Sequence, residues 1–253
     1  GIAQQCESLG DIFAKKEEFD QAEDYLMRAS DLYEAMKEMG AVQDVQDKLM
    51  HIFAQPKYLK SRKQQINEAL QKPEVEKDSK LKLALLSDLG NVLFMANEWV
   101  EASDVAKQTI VLHEESGDKA ALSATLGNLG SIFMQSQDYD GAEENYGRAI
   151  ELKRELNDQK GLRELYGNYL NVLIMAGKME KAEKLVKSSL KAHEESGNTS
   201  GVMAEHRNLG NLCLQKTDWF NAEKNYLKAL EIKTKAGNKP EMAEDNRNVY
   251  NLY

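Results

Sequence analysis

The chain has 253 residues, 42% of them hydrophobic and 30% charged, with a formal net charge of −9 at neutral pH. That acidic balance argues against general binding to phosphate backbones, and no apolar run approaches the roughly 18 residues that cross a bilayer. Only 3 prolines and 16 glycines interrupt the chain, a composition that suits helices.

In chain order, small residues recur on a step of about 40. Gly10, Gly90, Gly130 and Gly210 share one lattice, with Met50, Leu170 and Tyr250 at the points between them. Alanines follow at Ala22, Ala102, Ala142, Ala182 and Ala222, and a second small set at Ala29, Ala69, Ala149, Ser189 and Ala229. A fixed repeat of this length means stacked supersecondary units, none of which buries its apolar face alone. The expected units are approximately 3–40, 41–80, 81–118, 119–158, 159–198 and 199–238, with a partial one at 239–253. They form a single domain over 1–253.

Each unit reads as a helical hairpin. The second is the most degraded: Met50 stands where glycine is wanted, Arg62 replaces the first alanine, and Lys57, Lys60 and Lys63 crowd the same helix. Irregular packing is expected there. Pro56 and Pro73 bound its second helix, and Pro240 opens the last one. The fourth unit shows the pattern best. Leu122, Leu126, Leu129 and Phe133 share one helix face; Asp138 then caps a second helix carrying Ala142, Tyr146, Ala149 and Ile150. Gly40, Gly117, Asn157, Gly197 and Gly237 are read as left-handed stops between hairpins. The sum is thirteen helices, six hairpins plus one terminal helix, in an all-α fold.

Other residues read as structure. Cys6 and Cys213 lack metal-ligand spacing and fall in core-like helical positions; with no secretory signal, a reduced cytoplasmic or nuclear protein is expected. His113 and His193 sit in near-identical strings at helix ends, where a dipole rather than a metal explains them. Adjacent carboxylates such as Glu143 and Glu144 do not face each other on a helix. No metal site, cofactor or catalytic constellation is expected.

Leu126, Leu129-Gly130, Phe133, Ala142, Tyr146 and Ala149, and again Leu209-Gly210, Cys213, Ala222, Tyr226 and Ala229, resemble the tetratricopeptide repeat. The family repeat is about 34 residues, so this is a longer variant. Its Leu-Gly-Asn and Asn-Leu-Gly strings resemble Pins/LGN-type adaptors, and kinesin light chains and bacterial regulatory arrays carry comparable long repeats. The resemblance implies a right-handed α-solenoid whose first helices line a concave groove, and a non-catalytic protein-binding role.

Two polar rows fall on that implied groove. One holds Asn128, Asn168, Asn208 and Asn248; the other holds Asn91, Asn171, Asn211 and Asn251. An asparagine amide offers a donor and an acceptor together, which fits a peptide backbone of any sequence. Asparagine is also a poor helix former at an exposed site, so four in register point to a binding ladder, with interhelical hydrogen bonds or plain solvent exposure as the alternative. Arg207 and Arg247, with Arg163 and His206 nearby, would add positive charge and hold carboxylates bidentately. The expected partner is an extended, acidic peptide of another protein, with no nucleic acid and no membrane insertion. The competing readings are a module that self-associates through its terminal helix, and the regulatory part of a larger enzyme.

Overall fold

The computed structural model describes residues 1–235, and all of its regular structure there is helical. Thirteen helices are stacked as antiparallel pairs in the tetratricopeptide-type arrangement. They fall into two compact units, divided after Ser136.

The first unit holds α1 (Ile2–Lys15), α2 (Phe19–Ala35), α3 (Met39–Phe53), α4 (Pro56–Leu70), α5 (Pro73–Lys77), α6 (Ser79–Met95), α7 (Trp99–Ser116) and α8 (Lys119–Gln135). The second holds α9 (Tyr139–Glu155), α10 (Gln159–Met175), α11 (Met179–Glu195), α12 (Thr199–Gln215) and α13 (Trp219–Lys235). Among the described residues the sequence leads one to expect twelve helices, in six hairpins, and thirteen are present. The short α5 was not foreseen, and the helix expected from Pro240 onward lies outside the described residues.

Small residues set how closely hairpin partners approach. A Cβ added at Gly10 would lie 2.6 Å from Leu26 Cγ, and one at Gly210 would lie 2.7 Å from the Tyr226 ring. Leu26, Tyr226, Ala22, Ala29, Ala222 and Ala229 are all fully buried at these contacts. These pairings explain why Gly10 and Gly210 are glycine, since interiors pack too densely to admit an extra carbon; at Gly90 a Cβ would make only an ordinary 3.9 Å contact with Val105.

The second hairpin is irregular, as its sequence implies. Met50 is 59% exposed, and α3 and α4 barely touch; α4 packs instead on α6. Its cations are tied to acids of neighbouring hairpins. Lys57 meets Glu17 at 2.8 Å, Lys63 meets Glu98 and Glu101, and Arg62 stands 3.9 Å from Asp88.

Turn geometry corrects one expectation. Gly117 and Gly197 have φ of +72° and +68°, and Asn157 has φ of +55°, so these three stop helices in the left-handed region. Gly40, by contrast, lies in the first turn of α3, and Lys37 takes the left-handed position with φ of +60°. The following helices are capped by side chains: Asp118, Asp138, Asp158 and Asn198 each accept a backbone N–H two residues into the helix they precede, the usual economy of an N-cap.

Candidate functional site

Each unit contains a cleft among the described residues. In the first, α6, α7 and α8 enclose about 290 Å³. Its floor is Leu86, Val105, Ala106 and Ile132, and its rim carries Ser87, Asn91, Thr125 and Asn128. Asn91 and Asn128 therefore come together, one from each of the two rows read in the sequence. Both are exposed, and neither amide has a hydrogen-bond partner among the described residues.

In the second unit, α10 and α11 make few contacts with each other, whereas α12 and α13 pack closely. The divergence opens a cleft of about 1080 Å³ between α10, α11 and α12. Leu162, Leu170, Leu185 and Val186 form apolar walls; Arg154, Arg163, Tyr166, Glu205 and Asn208 supply the polar ones. Arg154 donates to the Tyr166 hydroxyl at 2.6 Å with its guanidinium 5.8 Å from the ring centre. Arg163 is exposed and makes no ion pair among the described residues.

The remaining predicted residues fall into four groups. Asn168 and Asn171 are exposed on α10 without partners among the described residues. Asn208 Nδ2 donates to Glu205 Oε2 at 3.0 Å, and Asn211 Oδ1 accepts from the Tyr226 hydroxyl at 2.6 Å; Asn211 is thus committed to its own hairpin. Arg207 is half-buried on α12. Arg247, Asn248 and Asn251 lie outside the described residues, as does the terminal helix named for self-association.

His206 does not join the basic groove. It is 7% exposed, and its Nδ1 pairs with Asn225 Oδ1 at 3.0 Å, between α12 and α13. Sequence reading missed this because the lattice position two residues before Asn208 faces the hairpin partner. It also missed Tyr166, Gly167 and Glu205 as cleft residues, since their proximity depends on how far α10 and α11 diverge.

Chemistry beyond binding finds no support in these side chains. Burial, then Asp218 and Glu183, push the Cys213 thiol up from its ordinary value, which disfavours the nucleophilic thiolate. No group of three or more His, Cys, Asp or Glu side chains among the described residues is arranged to hold a metal ion. No helix among them is long and apolar enough to cross a membrane.

Comparison with known proteins agrees with this architecture. Tetratricopeptide repeat profiles match residues 121–195 and 5–36. These residues carry tetratricopeptide repeats. A search of curated protein sequences returns no match. Among solved structures, the apo form of RapI superposes with a TM-score of 0.68 at 15% identity, covering 100% of this chain and 71% of RapI. BtubC from P. vanneervenii gives 0.58 at 18% identity, over 77% of this chain and 81% of its own. A Rap protein complexed with Competence and Sporulation Factor gives 0.50 at 14% identity, over 96% and 72%. At these identities the likeness concerns the fold. Kinesin-light-chain-like repeats also match, and the finer resemblance to Pins/LGN-type adaptors gains no support from these neighbours.

Proposed function

We propose that this tetratricopeptide repeat chain is a non-catalytic interaction module that holds an extended segment of a partner protein in its clefts. The observation that carries the reading is the pair Asn91 and Asn128. Two amides stand exposed and unpaired on the rim of an apolar cleft, each able to donate to and accept from a peptide unit. Helix propensity disfavours asparagine there, so intramolecular stability does not account for them. Asn168 and Asn171 extend the same offer in the second unit, and the exposed Arg163 favours an acidic side chain in the occupant. The Rap protein solved with Competence and Sporulation Factor supports the reading by analogy of fold: an array of this type holds a partner.

The test is selection of binding peptides from a displayed library on the wild-type chain, followed by affinity measurement on Asn91→Ala/Asn128→Ala and Asn168→Ala/Asn208→Ala. Each pair removes hydrogen bonds worth about 1 kcal/mol apiece, so affinity falls about tenfold or more. Unchanged binding by both double variants would sink the asparagine clamp.

A further inference from the structure

The second cleft contains a carboxylate without a counter-ion. Glu205 is half-buried on α12; Ser189 Oγ donates to its Oε1 at 2.7 Å and Asn208 Nδ2 to its Oε2 at 3.0 Å. Both donors are neutral, and no ion pair to Glu205 is formed by the described residues. Elsewhere in this chain partly buried carboxylates are matched by lysine: Glu143 by Lys178 and Lys181, Glu183 by Lys187 and Lys216. A carboxylate withdrawn from water and left unmatched is costly. Here two donors hold it in a fixed orientation, in a cavity open to a ligand.

Gly167 lines the same cleft. A glycine inside a helix costs about 1 kcal/mol relative to alanine; four of them here give room to a neighbour, whereas Gly40, Gly147 and Gly167 stand in open space, and of these three Gly167 lines the cleft. A Cβ at Gly161, Gly201, Gly10 or Gly210 would collide with a side chain, whereas one at Gly167 would meet nothing within 4 Å. The space that Gly167 leaves is therefore not used by the fold; it belongs to the cavity.

We infer that the second cleft takes a peptide carrying a basic side chain whose cationic end pairs with Glu205, while apolar atoms of the same segment occupy the space beside Gly167 between Leu170 and Val186. The free guanidinium of Arg163 then meets a carboxylate further along, so the occupant carries both signs of charge rather than being acidic throughout. The inference rests on the peptide-binding reading and adds to it the residue class and its seat.

A displayed library of random decapeptides, selected on the full chain, tests it. The peptides retained should be enriched in Lys or Arg at one position. Glu205→Gln should weaken these peptides about tenfold or more, and Glu205→Arg should move the enrichment to Asp or Glu. Gly167→Phe, whose Cβ meets nothing within 4 Å and whose ring occupies the cleft, should abolish their binding, and thermal unfolding of the variant checks that the fold is retained. Peptides selected without any basic preference, or unaffected by Glu205→Gln, would overturn the inference and leave the asparagine clamp standing. Peptides that still bind Gly167→Phe at full strength would place the seat outside this cleft, with the same consequence. If the library yields no binders at all, the inference and the peptide-binding reading fall together.

Discussion

Lys48 Nζ lies 2.7 Å from Asp11 Oδ2, joining two first helices across a sequence separation of 37. Asn91 and Asn128 stand at the same separation, and so do Asn171 and Asn208. Equivalent lattice positions thus carry an ion pair in the first hairpins and two amides later. Where the pair is charged, it is satisfied internally, with Glu7 adding a third member at 2.9 Å from the lysine. Where it is two amides, as at Asn91 and Asn128, the pair is available to a ligand.

The first prediction follows from that substitution. Lys48 and Asp11 keep side-chain exposures of 35% and 43%, so their bridge contributes at most about 1 kcal/mol and less in high salt. Lys48→Asn with Asp11→Asn should therefore cost little in urea unfolding, and the cost should shrink further at 1 M salt, where the Debye length is about 3 Å. A large, salt-independent loss would mean that the pair fixes the packing of α1 and α3 rather than merely closing the position.

Glycine substitutions should sort by what the missing Cβ would meet. Gly210→Ala presses on Tyr226, which is buried and fixed through its hydroxyl to Asn211; overpacking of this kind costs about 1–3 kcal/mol. Gly201→Ala collides with the His193 ring and should also destabilise. Gly167→Ala meets nothing and should stabilise by up to about 1 kcal/mol. Thermal unfolding of the three variants gives the ordering directly, and a destabilised Gly167→Ala contradicts the open space assigned to that position.

These glycines also mark the limit of what the sequence discloses. Gly10 and Gly210 were legible because the contact each permits lies within its own hairpin, and repetition displays it several times. The lysine bridges were not. Lys57 with Glu17, Lys178 with Asp140 and Lys216 with Glu183 join helices of successive hairpins, and a lysine on a helix surface looks the same whether it is solvated or bridging. The asparagine rows were visible as residues, but their surroundings were not: Asn211 turns out to serve Tyr226, and Asn208 to orient Glu205. The large cleft was hidden altogether, because it arises from the divergence of α10 from α11, a rigid-body property that no local periodicity encodes.

Acid should weaken the fold through the bridged carboxylates. Hydrogen bonds from Lys187 and Lys216 hold the Glu183 carboxyl down at about 2, against an ordinary value of 4.5. Hydrogen bonds from Lys48 and then Tyr33 likewise lower Glu7. A depressed folded-state value contributes stability that is present in full above about pH 4.5 and is lost as pH falls toward 2. Thermal midpoints should accordingly drop across that window, and Glu183→Gln should flatten part of the drop. The partner behaves oppositely: Glu183 raises the Lys216 ammonium, so its contribution persists below pH 10.5 and disappears as pH rises through the higher folded value.

The left-handed residues give the most direct test of the repeat itself. Glu17, Asn97, Gln137, Gly177 and Thr217 all have positive φ, and they fall on one 40-residue lattice between the helices of every pair but the second. Only one of the five is a glycine, so the stacking of the helices, not the residue type, imposes the conformation. A β-branched side chain is the least suited to it, and Thr217 has φ of +57°. The left-handed region costs a residue with a Cβ roughly 1–2 kcal/mol, part of which glycine returns through its greater freedom when unfolded. Thr217→Gly should therefore stabilise by about 0.5–1 kcal/mol, a rise of roughly 1–4 °C for a chain of this size. Thr217→Val, which keeps the branch and removes the hydroxyl that bonds the Lys216 carbonyl at 2.7 Å, should destabilise. Calorimetry on the pair separates the two effects: if glycine lowers the midpoint, the hydroxyl contact outweighs the backbone strain at this turn.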